Sequence, residues 1–181
     1  MFVDIIYSSE TRRKGLILIS ELLLAAILTG IVCTAWGTAS FLSGIFTWVG
    51  FAGCTSYFVV GEKDPLKNAI KSYISNLSGI FWATTSIYVS NLIGIPAMGI
   101  IITTGIVTVC VIYQSKFEIL SSVPACFIGC FITFALNGDY KMAAIGLLCG
   151  AILGYFCDQA SKLAAKIKNK NIDNNVEMKK A

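Results

Sequence analysis

Long apolar stretches separated by short polar breaks set the pattern of this chain. Between residues 15 and 163 there are six of them, at about 15–36, 41–60, 66–89, 97–113, 117–136 and 142–163. Each is close to the roughly 20 residues that a helix needs to cross a bilayer. The breaks carry turn signals such as Gly61-Glu62-Lys63-Asp64-Pro65 and Asn137-Gly138-Asp139. The pattern predicts an all-α integral membrane protein, a bundle of six transmembrane helices.

The composition favours the same class of protein. Of the 181 residues, 56% are hydrophobic and 13% are charged, whereas soluble chains carry about 25% charged residues. Six spans leave room only for short loops and two tails. We therefore expect a cytoplasmic N-terminal segment (residues 1–14), a six-helix membrane domain (15–163) and a basic cytoplasmic tail (164–181). The function is then expected to lie within the bilayer.

The positions of the basic residues predict the orientation of the helices. With the N terminus inside, 13 of the 14 Lys and Arg residues lie on the cytoplasmic side, and only Lys141 lies outside. Those on the cytoplasmic side are Arg12, Arg13, Lys14, Lys63, Lys67, Lys71, Lys116, Lys162, Lys166, Lys168, Lys170, Lys179 and Lys180. Both termini are therefore predicted to be cytoplasmic.

The two halves of the chain resemble each other. Thr29-Gly30-Ile31-Val32 recurs 75 residues later as Thr104-Gly105-Ile106-Val107. Phe51-x-Gly53-Cys54-x-x-x-Phe58 recurs 76 residues later as Phe127-x-Gly129-Cys130-x-x-x-Phe134. Because each half contains three spans, an odd number, the second copy must enter the membrane from the opposite side. The sequence predicts a 3+3 inverted-topology repeat, with copies at about 15–91 and 92–163.

This symmetry predicts where a solute would pass. Inverted-repeat transporters place their solute path near the midplane of the membrane, between the two copies. The residues expected to line it are Phe51, Gly53, Cys54, Tyr57, Phe127, Gly129, Cys130 and Phe134. The alternative is that they are packing contacts, since small residues are what membrane helices use where they touch.

Small residues at helical spacing form ridges on the third and sixth spans. The ridges consist of Ser75, Gly79, Gly146, Gly150 and Gly154. Such ridges let two backbones approach closely, either within a protomer or between the protomers of a homo-oligomer. Glu21 is an ionisable residue inside the first span, and it is interpreted as interfacial or structural, although a functional role stays open.

Several kinds of chemistry find no support in the sequence. Histidine is absent, and the seven cysteines all lie inside apolar runs, where a thiol usually serves as a small packing residue. Cys126-x-x-x-Cys130 would need further ligands to hold a metal. No catalytic motif is present, and the basic residues form no face that would suit nucleic acid. We expect no catalytic residue, no enzyme activity, no metal and no cofactor.

Four stretches of the chain resemble a known family. They are Trp48 to Phe58, Leu77 to Ala83, Val123 to Gly129 and Phe134 to Lys141. Together they resemble the YcdZ-like inner-membrane proteins, the domain-of-unknown-function family 1097. The resemblance implies a small multi-pass protein of the bacterial inner membrane and supplies no substrate. The leading hypothesis is a channel or facilitator for a small neutral or weakly charged solute. The alternative is a membrane scaffold or assembly partner that does not transport.

Overall fold

All the regular secondary structure in the described part of the chain is helical, and short connections join the helices. A computed structural model describes the backbone of residues 2–94 and 96–178, and the side chains of residues 22–94, 98–99 and 101–167. The helices are α1 (Phe2–Ser43), α2 (Thr47–Val60), α3 (Pro65–Ile93), α4 (Pro96–Gln114), α5 (Val123–Ala135) and α6 (Tyr140–Met178), with a 3-10 turn at Glu118–Leu120 before α5. The side chains of Arg12, Arg13, Lys14 and Glu21, and those of residues 168–181, lie outside the described residues.

Local sequence signals explain where the central helices begin and end. The Asp64 carboxylate accepts hydrogen bonds from the backbone N–H groups of Leu66 and Lys67, at 2.9 and 3.0 Å, and so caps the start of α3. Pro65 occupies the first turn, where its missing N–H costs nothing. Gly94 ends the same helix with φ of +72°, a left-handed conformation that favours glycine.

Two helices are shorter than the apolar pattern predicts. We expected spans from about residue 41 and residue 117, but α2 begins at Thr47 and α5 at Val123. The helices have 14 and 13 residues, which is about 20 Å at 1.5 Å per residue and less than the roughly 30 Å of a bilayer core. Pro124 explains the late start of α5, because proline fits the first turn of a helix but disrupts its interior.

The first span also ends later than expected. It was predicted to stop near residue 36, whereas α1 runs on to Ser43. Two described segments are long and apolar enough to cross a membrane, Leu22–Ser43 within α1 and Tyr140–Ile167 within α6. The helix α3 is also long, at 29 residues, but it carries many polar side chains.

The chain divides into two compact units. One consists of Met1–Ala35 with Phe156–Ala181, and within it the Sγ atoms of Cys33 and Cys157 lie 4.0 Å apart. The other consists of Trp36–Tyr155 and contains two buried apolar clusters. The first cluster comprises Val49, Ile80, Ile132, Ala143 and Leu147. The second comprises Ala83, Val111, Cys126 and Cys130.

Glycines bring the backbones together at two helix crossings in the larger unit. Where α2 crosses α6, a Cβ atom placed on Gly53 would lie 2.8 Å from the carbonyl oxygen of Leu147 and 2.9 Å from the Cα of Gly150. Where α5 crosses α3, a Cβ on Gly129 would collide with the Asn76 carbonyl oxygen, and one on Gly79 with that of Cys126. Close backbone approach at small residues is how membrane helices pack tightly.

Candidate functional site

The helix α3 carries polar side chains along two neighbouring faces. One face bears Lys71, Ser75, Ser78, Trp82 and Ser86, at spacings of three or four residues, and we call it the polar stripe. The other bears Asn68, Ser72 and Asn76, all three buried. Buried polar groups in an apolar protein need hydrogen-bond partners. The contacts of these side chains therefore identify the helices and cavities that α3 faces.

The polar stripe begins beside a cavity with charged walls. This charged cavity, of about 560 Å³, is lined by Glu62, Lys67, Ile70, Lys71, Phe117, Glu118 and Ile119. The Lys71 ammonium forms an ion pair with the Glu62 carboxylate at 2.5 Å. The Ser75 hydroxyl, one turn further along α3, donates a hydrogen bond to the Ile119 carbonyl at 3.4 Å. The stripe therefore leads from the wall of this cavity into the bundle.

At the other end of α3 lies a cavity whose polar walls are uncharged. This hydroxyl cavity, of about 730 Å³, is lined by Ser86, Ile87, Ser90, Asn91, Gly94, Thr103, Thr104, Phe134 and Asn137. The Ser86 hydroxyl donates to the Thr103 Oγ1 at 2.9 Å, and that hydroxyl donates to the Gly99 carbonyl at 2.8 Å. Six of the nine lining side chains carry hydroxyl or amide groups, so the cavity suits a polar solute without charge.

Between the two cavities, Gln114 accepts hydrogen bonds from two side chains of the polar stripe. The Gln114 Oε1 accepts hydrogen bonds from the Ser78 hydroxyl at 2.7 Å and from the Trp82 indole N–H at 2.9 Å. The Gln114 Nε2 donates to the Cys126 Sγ at 3.1 Å. We call these four residues the Gln114 hub. Because an indole nitrogen can only donate, Trp82 fixes which end of the amide faces the stripe.

The hub lies midway between the two cavities along α3. Lys71 and Ser86, which line the two cavities, are 15 residues apart on α3, or about 22 Å along the helix axis. Ser78 and Trp82 lie between them on the same face. Any solute that followed the polar stripe from one cavity to the other would have to pass Gln114, which is only 9% exposed.

The second polar face of α3 packs against α2. The Ser72 hydroxyl donates to the Ser56 hydroxyl at 3.0 Å, and Ser56 donates to the Asn76 Oδ1 at 2.8 Å. The Asn68 amide donates to the Tyr57 carbonyl at 2.8 Å and accepts from the Glu62 backbone N–H at 2.8 Å. The Asn76 Nδ2 is buried without a hydrogen-bond partner. These bonds fix α2 on α3 and leave one buried donor unused.

The residues predicted to line a path lie in different environments. Phe134 lines the hydroxyl cavity. Gly53 and Gly129 lie at the two backbone crossings, and Tyr57 is buried. Phe51 and Phe127 are each 40% exposed, and among the described residues neither contributes to the lining of the two cavities.

The two predicted thiols also have separate surroundings. Cys54 is half-buried on α2. Cys130 is buried, and its Sγ donates to the Gly79 carbonyl at 3.2 Å. Among the described residues, no group of three or more His, Cys, Asp and Glu side chains is placed to hold a metal ion.

The residues of the predicted ridges lie where helices meet. A Cβ on Gly146 would lie 2.5 Å from a Val49 methyl group, and one on Gly154 would lie 2.5 Å from the Tyr57 Cβ. A Cβ on Gly150 would collide with the Gly50 carbonyl oxygen. Ser75, the polar member of the set, is fully buried and belongs to the polar stripe as well.

Sequence reasoning missed the central residue of the site. In the sequence, Gln114 lies in the short break between the fourth and fifth apolar stretches, and it is not among the residues predicted to line a path. In the structure it is the last residue of α4, and its side chain is held against the middle of α3. The available signal was its position directly after an apolar helix, since a polar residue buried among apolar ones must find partners.

Comparison with known proteins supports a class of protein and then a family. The helices, the apolar composition and the similar proteins together support a helical membrane protein. The sequence profile described as "Protein of unknown function (DUF1097)" matches residues 24–162, and the chain belongs to this family. It is 42% identical over 135 residues to the inner membrane protein YcdZ of Escherichia coli strain K12, covering 74% of this chain and 82% of YcdZ.

Two further relatives extend the comparison. YcdZ of Salmonella typhimurium, also called an inner membrane protein, is 39% identical over 136 residues, covering 74% of this chain and 83% of the relative. The uncharacterized protein YahC of Escherichia coli strain K12 is 27% identical over 128 residues, covering 67% of this chain and 76% of the relative. No solved structure matches the chain.

Proposed function

We propose that this chain is a multi-pass inner-membrane facilitator for a small neutral or weakly charged solute. The observation that carries the proposal is the pair of cavities at opposite ends of α3, joined by the polar stripe. Hydroxyl and amide groups inside an apolar bundle are costly unless they serve packing or a polar path. The names of the YcdZ relatives support the inner membrane as the location.

An inverted repeat is part of the proposal, and the burial pattern supports it. The buried residues of α2 are Val49, Gly50, Gly53, Ser56 and Tyr57. Each of them corresponds, 76 positions later, to a buried residue of α5, namely Ala125, Cys126, Gly129, Ile132 and Thr133. The crossings agree with a two-fold relation, because α2 packs on α6 of the other half and α5 packs on α3.

The short helices α2 and α5 also support transport. They hold corresponding positions in the two proposed repeats, and short or interrupted segments in such positions often mark the solute site of a transporter. The backbone between α4 and α5 contains only the 3-10 turn Glu118–Leu120. Irregular backbone at membrane depth is tolerated where protein covers it or where it lines a wet cavity, and residues 117–119 line the charged cavity.

The orientation follows from the basic residues and stays a proposal. Both termini are placed in the cytoplasm, so the charged cavity faces the cytoplasm and the hydroxyl cavity faces the opposite side. The homo-oligomer and the absence of enzyme activity also stay proposals. A scaffold that does not transport is the alternative, and it requires a centre that no solute crosses.

The test is solute flux into proteoliposomes that contain the purified full chain. Stopped-flow light scattering would compare small amides, amines and short carboxylates with a disaccharide as a size control. We expect one class of small solute to enter several times faster than in protein-free liposomes. A matched pair of variants then locates the path: Thr103→Val removes a hydroxyl from the hydroxyl cavity, and Thr85→Val removes one that bonds only to its own helix, at the Phe81 carbonyl.

The two outcomes separate transport from scaffolding. Slower flux in Thr103→Val with unchanged flux in Thr85→Val supports the facilitator. Protein-free rates for every solute, from protein that is folded and helical, would reject transport and leave the scaffold.

A further inference from the structure

The Gln114 hub has one firmly bonded side and one weakly bonded side. The amide oxygen receives two hydrogen bonds from a hydroxyl and an indole. The amide nitrogen donates to a thiol sulfur, which is a weak acceptor. The thiol of Cys126 lies 4.0 Å from the Ser78 hydroxyl, too far for a strong bond. The oxygen is therefore held in place, while the N–H groups can exchange their partner at little cost.

Among the residues whose side chains the structure describes, no charged group forms a hydrogen bond or an ion pair with a member of the hub. Cys126 belongs to an apolar cluster with Ala83 and Val111. Of the nearby ions, Lys116 lies over the ring of Tyr113, with its Nζ 4.0 Å from the ring centroid. Bringing an ion into such a place costs far more than bringing in a neutral polar group, because nothing replaces its hydration.

We propose that the Gln114 amide N–H is the selectivity contact of the path and that it selects uncharged solutes bearing a compact oxygen acceptor, such as a carbonyl or hydroxyl. The solute oxygen takes the place of the Cys126 sulfur, so a weak N–H···S bond is exchanged for a stronger N–H···O bond. An anion would accept the same bond but lose its hydration, and a cation could not accept the bond. This inference rests on the proposed facilitator function and names its solute class.

The test uses two changes at Cys126 that should act in opposite directions. Cys126→Ser supplies a stronger acceptor of similar size, so the amide N–H is occupied and solute entry becomes slower. Cys126→Ala removes the acceptor, so the N–H is free for the solute and entry becomes faster. We expect solute entry to be about threefold slower with Cys126→Ser and about threefold faster with Cys126→Ala, because the exchange of one hydrogen bond changes the free energy only modestly.

Cys149 provides the control, because it is a half-buried thiol on α6 and does not belong to the Gln114 hub. Cys149→Ser and Cys149→Ala should therefore leave the solute rates near those of the unchanged protein. Thermal melting in detergent would show whether each variant is folded.

The solutes should be acetamide and acetate, which match in size and differ in charge. Acetamide should enter fastest with Cys126→Ala, more slowly with the unchanged protein and slowest with Cys126→Ser. Acetate should enter no faster than through lipid alone. If the unchanged protein conducts acetamide but both Cys126 variants shift in one direction, or neither shifts, the hub does not select and only this inference fails. Equal rates for acetate and acetamide would also overturn it. Protein-free rates for both solutes would instead reject the proposed function itself.

Discussion

Helices α3 and α6 hold equivalent places in the proposed repeat but bury different side chains. At a spacing of 75 residues, the buried Asn68, Ser72 and Asn76 of α3 correspond to the buried Ala143, Leu147 and Ala151 of α6. The same face is buried in both helices, and it is polar in one and apolar in the other. The proposed repeat is therefore asymmetric at this face, which is polar in α3 and apolar in α6.

This difference has a consequence for the proposed path. If both helices lined it equally, the path would lie on the two-fold axis between α2 and α5. The structure instead places the two cavities, the hydroxyl groups and Gln114 along α3. In this proposal the symmetry accounts for how the helices pack, and the departure from symmetry accounts for the position of the path.

The largest expected effect concerns the inverted orientation of the two halves. Reporter fusions after residue 181 and within the loop at residues 91–96 should report opposite sides of the membrane, because the predicted six-span topology puts 13 of the 14 basic residues on one side. An alkaline phosphatase and a fluorescent protein fusion at each point give complementary signals. The same side for both points would contradict the inversion, and with it the equivalence of α3 and α6.

A smaller effect tests whether the two helix crossings are alike. Gly129→Ala and Gly150→Ala each place a Cβ against a backbone carbonyl, so each should lower the free energy of unfolding by about 1–3 kcal/mol. Gly105→Ala is the control, because nothing lies within 4 Å of the added atom. Thermal unfolding in detergent measures all three. Loss of stability in only one of the crossing variants would show that the two contacts are not equivalent.

The next prediction compares the water accessibility of corresponding positions on α3 and α6. In a variant without other cysteines, Ser78→Cys on the polar stripe should react with a small water-soluble methanethiosulfonate reagent. Leu153→Cys, the corresponding position on α6, is 5% exposed among apolar residues and should stay unlabelled. Mass spectrometry of the intact protein gives the extent of labelling. Equal labelling at the two positions would mean that the polar face of α3 is no wetter than the apolar face of α6.

The smallest effect concerns the ion pair in the charged cavity. Lys71→Met should change the free energy of unfolding by less than about 1 kcal/mol, since a partly exposed ion pair contributes little. The entry rate of an uncharged solute should also stay unchanged, because a charge at the cavity wall steers only charged solutes. A large loss of stability would show that Lys71 holds the bundle together.

The sequence predicts the helical class well, because long apolar runs can be satisfied only by helices in a membrane. It predicts helix boundaries poorly where apolar residues continue through a turn. Phe41 to Phe46 are mostly apolar or small, yet α1 ends at Ser43 and Gly44 adopts a φ of +71°. Apolar character alone does not tell an apolar turn from a helix. Pro124 gave a usable signal for the start of α5.

The candidate site could be predicted only in part. Hydroxyl residues recur through the third apolar stretch of the sequence, and three of them, Ser75, Ser78 and Ser86, lie on the polar stripe. The partner of that stripe was not visible, because Gln114 is 32 residues from Trp82 in the chain. Phe51 and Phe127 are predicted to line a path because the same motif occurs in both halves of the chain. A repeated motif indicates equivalent positions, and it does not tell which of their surfaces meets solvent.

The short length of α2 and α5 also bears on the lipid around the protein. Both helices present exposed phenylalanines, among them Phe58 and Phe131, so part of the surface is apolar over only about 20 Å. A bilayer adapts to a short apolar surface by thinning locally, at a cost that rises with each ångström of mismatch. In the proposed multi-pass arrangement, the protein should therefore be most stable in membranes of short acyl chains, and thicker bilayers should stretch it along the membrane normal.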